Sequence, residues 1–342
     1  ERYSFAVLSQ FIQNRLCRRS YRGLVGEFGS ESVTPFNCIN AYCRYNESNF
    51  VNETDEILWV RMHSFTDPGK PFFAPLQLVV SGGSSIYPEE KEYVPAAVST
   101  GTACHETVSQ AIDTALIECM QIDSFELWWY GGLQGRPVDL DQRNFLRTYF
   151  DANSVNRFLQ EFSLSVTDIT FDKNIYVYVC EIFGKKPNLP RYTVGVQGGY
   201  NREKTLYRCL MEALCVLEYN MNLPWIHYEK WSSIEKNLKN IRNFDDNVAK
   251  YAKYGKPHLK AGTSNFIPGK VQGSTLSYVR KNYPHSGYLV ITAPEFEGLN
   301  LEVVRVCIPE LLPLSLPSYP PQHHPRFLSN GGIVNHVAHP LA

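Results

Sequence analysis

Long apolar segments are missing from this sequence of 342 residues, although 44% of its residues are hydrophobic. No stretch approaches the roughly 20 apolar residues that a membrane-spanning helix needs, and no secretory signal pattern opens the chain. An excess of charge is missing too, because 33 Lys and Arg stand against 34 Asp and Glu, giving a formal net charge of −1. These absences argue against a membrane protein and against a general attraction to nucleic acid, and they predict an ordinary globular protein.

Closely paired cysteines are also missing. The nine cysteines are an odd number, and no two of them have the C-x-x-C spacing of a zinc site or a redox motif. The adjacent His323 and His324 lie near no group of cysteines in the sequence. The pattern predicts reduced thiols in a cytoplasmic protein and argues against a structural zinc site.

An initiating methionine is missing as well. The sequence begins "ERYSF", and the apolar residues 5–8 follow within one turn of the first residue. We therefore expect that the natural protein has residues upstream of Glu1.

Short segments rich in β-branched and aromatic residues predict strands in several parts of the chain. They are residues 36–45, 56–65, 75–83, 174–184, 192–199, 286–294 and 300–310. Helices are predicted at the start of the chain, within 1–18, and in blocks between these strands. Because strands and helices come in blocks and do not alternate strictly, the sequence predicts an α+β fold.

Two long helices are predicted in the middle of the chain. Thr107 and Gln110 have the spacing of a capping box, and apolar residues then recur every three or four positions up to Ile122. Asn201 is a typical N-cap for the second helix, which continues through "REKTLYRCLMEALCVLEY". Shorter helices are predicted within 141–151 and 154–162, and residues 227–262 are expected to be helical, exposed and peripheral.

Each long helix also carries polar residues on one side. Thr114, Glu118 and Gln121 are spaced by four and three residues, so their side chains lie on one face. Arg208 and Glu212 are four residues apart on the second helix. A solvated stripe and a surface ion pair are the ordinary explanations of these two patterns; the alternative is a binding site.

Several motifs of the chain resemble the YcaO family. "STG" at 99–101, followed by a helix with "AL-x-E" and then "D-x-F-x-x-WW", is similar to that family's STGLAAG, ALxELIERDAF and Trp series. "RCLMEA" at 208–213 resembles its RALxEA helix, and "ERYS" at 1–4 resembles the end of its first nucleotide motif. The end of the chain, "RFLSNGGIVNHVAHPLA", resembles the proline-rich ending of the azoline-forming members. The likeness extends over the whole chain, and it implies a YcaO-like fold, with mixed sheets and flanking long helices around a central ATP site.

This resemblance implies a site for ATP and Mg²⁺ that has no glycine-rich phosphate loop. Glu1 and Glu118 correspond to metal ligands of the family, and Arg2 and Arg208 correspond to residues that contact phosphate. The chemistry is reasonable, because Mg²⁺ prefers carboxylate and phosphate oxygens and phosphoryl transfer depends mainly on positioning and charge stabilisation.

Three further residues are expected to contact the nucleotide on the same grounds. Thr114 takes the place of a polar Asn of the family, Glu212 is expected to line the same cavity, and Gln121 lies on the same side of its helix. The sequence also departs from the family, because Gln121 and Ile122 replace a Glu and an Arg, and Cys215 replaces a Gln. These departures leave open a catalytically inactive docking scaffold.

The activity that the resemblance implies is an ATP-dependent cyclodehydration of a ribosomally made precursor peptide. A Cys, Ser or Thr side chain adds to the preceding backbone carbonyl, the carbonyl oxygen is phosphorylated, and loss of phosphate leaves a thiazoline or oxazoline. The same family also contains enzymes that form thioamides or amidines, and this outcome remains an alternative.

The reaction needs a base, and the end of the chain is the candidate. Histidine is a common general base near neutral pH, and His336 and His339 are close in sequence to the Ala342 carboxylate. The alternative for the last residues is a frayed terminus.

Nothing in the sequence resembles the ubiquitin-activating-type domain that binds the leader of the peptide in fused relatives. The expected partners are therefore the precursor peptide, a leader-binding protein of that type and an FMN-dependent azoline dehydrogenase, in a thiazole/oxazole-modified microcin synthetase for antibiotic biosynthesis. No nucleic acid or membrane is expected. The predicted organisation is one catalytic domain over 1–342, with 227–262 peripheral and 313–342 a proline-rich tail.

Overall fold

The computed structural model describes residues 1–341 except residues 11, 44–50, 81–86, 88, 95–96, 237–240, 242–243 and 264–268. Contacts divide the chain into two compact units. The first unit contains residues 1–126, 272–315 and 321–333. The second unit contains residues 127–271, 316–320 and 334–342.

The helices and strands confirm the predicted mixture of α and β structure. The described helices are Arg2–Val7 (α1), Tyr21–Phe28 (α2), Phe36–Cys43 (α3), Leu76–Val79 (α4), Val108–Trp129 (α5), Gln142–Arg147 (α6), Ala152–Glu161 (α7), Arg202–Ile226 (α8), Tyr228–Ser233 (α9), Phe244–Tyr254 (α10), Thr275–Asn282 (α11) and Pro325–Leu328 (α12). The described strands are Leu16–Ser20 (β1), Glu56–Ser64 (β2), Pro71–Pro75 (β3), Thr102–His105 (β4), Arg136–Pro137 (β5), Phe162–Asp168 (β6), Tyr176–Gly184 (β7), Thr193–Gly199 (β8), Gly287–Val290 (β9) and Glu302–Cys307 (β10). Short 3₁₀ turns connect several of these elements.

The first unit is built on a six-stranded antiparallel sheet in the order β1-β2-β9-β10-β4, with β3 paired to β2 as well. Strand β10 joins two parts of the chain that are far apart in sequence, because Val304 pairs with Val290 of β9 and with Ala103 of β4. Buried side chains of these strands form the core together with the N-terminal helices and α4. The sheet thereby places β4, and the turn just before it, beside β10.

The second unit contains a four-stranded antiparallel sheet in the order β5-β6-β7-β8. Helix α8 packs on this sheet through Leu206, Cys209, Leu210 and Ala213, which recur at helical spacing and are buried. Asn201 caps the helix as predicted, since its side chain accepts a hydrogen bond from the Lys204 N–H at 2.9 Å. The periodic apolar face of the sequence is therefore the face that packs on the sheet.

Three local predictions are wrong. Residues 36–43 and 76–79 are helical where strands were predicted. In the first segment, Cys38, Ile39 and Tyr42 are spaced for one helical face. The second segment is too short for a helical periodicity to show in the sequence. In 227–262, helices α9 and α10 confirm the predicted helical structure, but α10 is not simply exposed. Its residues 247–249, 251 and 252 are buried in the second unit.

Candidate active site

The carboxylate of Glu118 lies against the turn that ends the S-T-G motif. The backbone N–H of Gly101 donates a hydrogen bond to its Oε2 at 2.9 Å. Gly101 has a φ of +87°, and a Cβ on this residue would lie 2.7 Å from the Val306 carbonyl oxygen and 2.9 Å from Cys119 Sγ. The motif therefore needs glycine here, both for its backbone conformation and for the close approach of β10 and α5.

The surroundings of Glu118 raise the pKa of its carboxyl group to near neutral pH. Burial raises the pKa of Glu118 to about 7, while the hydrogen bond from Gly101 lowers the pKa in part. The charge of Glu1 raises the pKa further, and that of Arg305 lowers it. Two carboxylates that repel each other are stabilised by a cation near both of them, so Glu118 and Glu1 are suited to a bound metal ion.

The donor set fits Mg²⁺ as a partial site. No group of three or more His, Cys, Asp or Glu side chains in the described residues is arranged to hold a metal ion. Mg²⁺ is commonly bound through only one or two carboxylates, with water and substrate phosphates completing the octahedron. Glu118 and Glu1, which supply carboxylate oxygens and interact electrostatically, match that requirement.

Three other predicted residues belong to the first unit, on α5 and at the start of α1. Helix α5 carries Thr114 one turn before Glu118 and Gln121 nearly one turn after it; Thr114 is exposed and Gln121 is half-buried. Arg2 is exposed at the first position of α1, directly after Glu1. The structure thus confirms that the three polar residues of α5 are on a helix, whereas their contact with a nucleotide stays a prediction.

Arg208 and Glu212 lie in the second unit, on α8. Arg208 is exposed. Gln197 of the adjacent strand β8 donates a hydrogen bond from Nε2 to Glu212 Oε2 at 2.7 Å. Burial raises the pKa of Glu212 to about 7, and the hydrogen bond from Gln197 partly offsets that rise. Glu212 is therefore a second carboxyl group whose pKa lies near neutral pH.

The Asp of "D-x-F-x-x-WW" has a structural role that the sequence did not reveal. Asp123 is fully buried and forms an ion pair with Arg326, whose Nη2 lies 2.8 Å from Oδ2 and whose Nε lies 3.0 Å from the same oxygen. It also accepts the Leu312 N–H at 3.0 Å. The residue fastens the segments around 312 and 326 to α5 within the first unit.

The second Trp of that motif holds the end of the chain within the second unit. Trp129 Nε1 donates to the Val337 carbonyl oxygen at 2.8 Å. Asn335 donates to the carbonyl oxygens of Trp129 and Lys260, each at 3.0 Å, and the Tyr251 hydroxyl donates to that of Ala338. Residues 335–341 are consequently packed and hydrogen-bonded, which argues against a frayed terminus.

The residues predicted as the base occupy different surroundings. His339 is fully buried; its Nδ1 accepts the Leu341 N–H at 3.2 Å, and its ring stacks on Phe244 with the centroids 6.0 Å apart. His336 is exposed. Ala342 lies outside the described residues. Of the two imidazoles, His336 is the one whose side chain solvent and a substrate can reach directly.

Sequence reasoning missed Arg305. Its Nη1 donates to the Thr100 carbonyl oxygen and to Thr102 Oγ1, the latter at 3.2 Å, so this side chain braces the residues on both sides of Gly101. An arginine between valines in "VVRVC" was the available signal, because a strand that is otherwise apolar rarely carries a charge without a specific partner.

No described helix combines the length and the apolar character that a membrane span requires. A comparison with curated protein sequences gave no match.

Solved structures with a similar fold include two heterocyclases and one chain of a microcin synthetase complex. A heterocyclase in complex with substrate and cofactor is 19% identical, with a TM-score of 0.62 over 91% of this chain and 42% of that chain. The heterocyclase TruD is 18% identical, with a TM-score of 0.57 over 88% and 43%. A chain of the E. coli microcin synthetase McbBCD complex with pro-MccB17 bound is 13% identical, with a TM-score of 0.60 over 81% and 69%. The chain spans less than half the length of the two heterocyclases, and at these identities the likeness shows a shared fold.

A family model described as YcaO cyclodehydratase, ATP- and Mg²⁺-binding, matches residues 1–312. The match contains the S-T-G turn, the α5 carboxylate and the α8 motif, and it extends through both compact units. The chain therefore belongs to the YcaO family of ATP- and Mg²⁺-binding cyclodehydratases.

Proposed function

We propose that this protein is an ATP-dependent cyclodehydratase that converts Cys, Ser or Thr residues of a ribosomally made peptide to thiazolines or oxazolines. The observation that carries the proposal is the half-buried Glu118 carboxylate at the S-T-G turn, whose pKa the charge of Glu1 raises further, in a chain of this family. Bound ATP would supply the phosphoryl group that turns the peptide carbonyl oxygen into a leaving group.

The residues of the chain then have defined tasks. Glu118 and Glu1 are proposed to hold Mg²⁺, and Arg2 to neutralise phosphate charge; Thr114 and Gln121 are proposed to contact the nucleotide from α5. The parts assigned to Arg208 and Glu212 rest on the resemblance of "RCLMEA" to the family motif. These roles need positioning and charge stabilisation, which is what phosphoryl transfer requires of a protein.

A base must remove a proton from the attacking thiol or hydroxyl group, and later the amide proton. We propose His336 as the first candidate, because its side chain is exposed while the neighbouring residues 335 and 338–341 are fixed by burial. His339 and the Ala342 carboxylate remain the other predicted candidates, and the burial of His339 gives it a positioning role for the last residues as well.

The proposed partners rest on the family resemblance and on one solved complex of similar fold. A chain of similar fold occurs in the microcin synthetase complex with pro-MccB17 bound, and we propose that this protein likewise works on a precursor peptide within a multi-subunit synthetase. A leader-binding protein and an FMN-dependent azoline dehydrogenase are its proposed companions, in the cytoplasm.

Glu118→Gln tests the nucleotide site. The glutamine keeps an oxygen that can accept the Gly101 N–H, so we expect an intact fold, whereas loss of the negative charge should abolish Mg²⁺-dependent ATP hydrolysis. Glu218→Gln is the matched control, since Glu218 is an exposed glutamate on α8 and its replacement should leave turnover unchanged. Normal hydrolysis by folded Glu118→Gln would refute the assignment.

Mass spectrometry of a co-expressed precursor peptide tests the reaction. Loss of one water per modified Cys, Ser or Thr, with that residue's thiol or hydroxyl group no longer open to alkylation or acylation, supports azoline formation, because an amidine loses one water but leaves this group free. Exchange of oxygen for sulfur would identify a thioamide former instead, and an unmodified peptide together with no ATP turnover would identify a docking scaffold.

A further inference from the structure

Arg305 is a buried residue of strand β10, with only 4% of its surface exposed. In the antiparallel pairing of β10 with β4 it lies opposite Thr102, and the Val306 N–H donates to the Gly101 carbonyl oxygen at 2.7 Å. Side chains of residues directly opposite each other in an antiparallel pair lie close together on one face of the sheet. The strand pairing therefore places the Arg305 guanidinium group at the S-T-G turn.

This guanidinium group fixes the turn from both sides. Its Nη1 donates to the Thr100 carbonyl oxygen and to Thr102 Oγ1, the latter at 3.2 Å, and its Nη2 donates to the Leu78 carbonyl oxygen of α4 at 3.3 Å. A planar guanidinium holds its donors in a rigid fork, so these bonds restrict the orientation of the turn as well as its position. Gly101, between the two threonines, is the residue whose N–H donates to the Glu118 carboxylate.

The same group also contacts the first helix of the chain. The Cζ atom of Arg305 lies 5.0 Å from the centre of the Phe5 ring, and a cation that is shielded from water is attracted to the face of an aromatic ring. The Phe5 N–H in turn donates to the Glu1 carbonyl oxygen at 2.9 Å, in the first turn of α1. Through this ring, Arg305 contacts the helical turn that begins with Glu1.

Arg305 thus links the two chain segments that carry the carboxylates of the proposed metal site, and its charge also interacts with that of Glu118. Two carboxylates repel each other, so they need a support that is in place before a metal ion binds. We propose that Arg305 is a positioning residue that holds Glu118 and Glu1 in the arrangement that binds the Mg²⁺ of the nucleotide complex. This inference rests on the proposed function, because both glutamates are metal ligands in it.

The sign of the effect separates positioning from two simpler roles. A positive charge near a cation site repels the cation, so if Arg305 acted only through its charge, its removal would strengthen metal binding. If Arg305 only stabilised the fold, its replacement would leave metal binding by the folded protein unchanged. Positioning predicts that the folded variant binds the metal less well.

Calorimetric titration with the non-hydrolysable ATP analogue AMPPNP, with and without Mn²⁺, tests the proposal. Mn²⁺ takes the same oxygen ligands as Mg²⁺, and we expect it to tighten binding of the analogue by the wild type. Arg305→Gln should reduce this tightening at least about tenfold, as is usual when a residue that orients a metal ligand is lost. Arg18→Gln is the control, because it breaks an ion pair with the buried Glu90 at 3.0 Å and should keep the full effect of Mn²⁺.

Two further variants complete the test. Phe5→Leu keeps an apolar side chain but removes the ring beside the guanidinium group, so it should also reduce the effect of Mn²⁺, by a smaller factor. Arg305→Lys replaces Arg305→Gln if the latter does not fold; it keeps the charge but not the fork of donors, and it should reduce the effect as well.

An effect of Mn²⁺ that is unchanged or larger in a folded Arg305 variant, or unchanged in Phe5→Leu, would overturn the inference. Glu118→Gln distinguishes this failure from that of the proposed function. If Glu118→Gln abolishes the effect of Mn²⁺ while the Arg305 variants keep it, the inference alone fails. If Glu118→Gln keeps the effect, or if the wild type shows none, the proposed metal site fails and the inference fails with it.

Discussion

Gly101 shows how one residue can decide whether the S-T-G turn forms. Gly101→Ala places a methyl group against the Val306 carbonyl oxygen and Cys119 Sγ and forces alanine into a positive φ. We expect the free energy of unfolding to fall by roughly 2–4 kcal/mol and ATP hydrolysis to be largely lost. Urea unfolding and an ATPase assay measure the two effects.

Gly26 supplies the matched control for this substitution. It lies in α2 with nothing within 4 Å of an added Cβ, so Gly26→Ala should be neutral or stabilising by up to about 1 kcal/mol. Equal effects of the two substitutions would contradict the explanation of Gly101.

Glu126 makes stability depend on pH. Burial raises its pKa from 4.5 to about 8, so the folded protein favours the neutral acid. Its contribution to stability is complete below pH 4.5 and is lost as the pH rises through about 8. Glu126→Gln keeps an oxygen that can accept from Ser315, and we expect it to be more stable than the wild type by roughly 2–4 kcal/mol above pH 8, with the difference vanishing in acid. Urea unfolding across this pH range measures the difference.

The exposed Asp151 provides a contrast of opposite sign. A hydrogen bond with Ser154 lowers the pKa of Asp151, so its contribution is present at neutral pH and is lost in acid. Asp151→Asn should therefore be less stable than the wild type at neutral pH and should approach it at low pH. A pH-independent effect of Glu126→Gln would show that the carboxyl group does not titrate as argued.

The sequence identified Glu118 but not Arg305, and the difference has a physical cause. Glu118 belongs to a compact motif that resembles the family's, so the resemblance of a short local segment was enough to select it as a candidate. Arg305 acquires its role from Thr100 and Leu78, which are more than two hundred residues away and are brought together only by the pairing of β10 with β4. Contacts that depend on strand pairing of this kind cannot be read from local patterns.

At the scale of the element, the accuracy of prediction followed the strength of the local sequence signal. Helices α5 and α8 were predicted because their periodicity continues over several turns, and strands β7 and β10 because their segments are rich in β-branched and aromatic residues. Helix α3 was mistaken for a strand, since eight residues give only two turns and tertiary packing decided their conformation.

The end of the chain is an element whose role can be separated into stability and catalysis. Deleting residues 336–342 removes the acceptors of the buried donors of Trp129, Tyr251 and Asn247. We expect the free energy of unfolding to fall by roughly 3 kcal/mol or more, and cyclisation to fall by orders of magnitude, with ATP binding changed much less. Unfolding, nucleotide titration and peptide mass spectrometry measure these effects.

Single substitutions resolve the two roles of that segment. His336→Ala should leave stability within about 0.5 kcal/mol of the wild type, because the residue is exposed, and should lower cyclisation if its imidazole is the base. His339→Ala should lower stability because the ring is buried. A folded, truncated protein that cyclises its peptide at nearly the full rate would show that the segment has no catalytic part.

At the scale of the whole molecule, each compact unit contains a glutamate whose pKa is raised to near neutral pH. Glu118 in the first unit and Glu212 in the second each have a pKa that burial raises to about 7, and each is restrained by a hydrogen bond from a strand or from the turn before it. Both lie in the segment that the family model matches. Fixed acidic groups that can exchange a proton for a cation near neutral pH are consistent with a protein that binds a metal–nucleotide complex.

The last prediction concerns how such a molecule selects one peptide. A Cys or Ser side chain is too small to supply much binding free energy, so a distant leader sequence held by a partner would raise the effective concentration of the reacting residue. We expect the purified 342-residue chain to modify a precursor peptide slowly, and a leader-binding partner to raise the rate about 10²-fold or more at subsaturating peptide. A leaderless peptide is the control, because the partner should leave its rate unchanged. Equal rates with and without the partner, measured by mass spectrometry below saturation, would show that this chain recognises its substrate by itself.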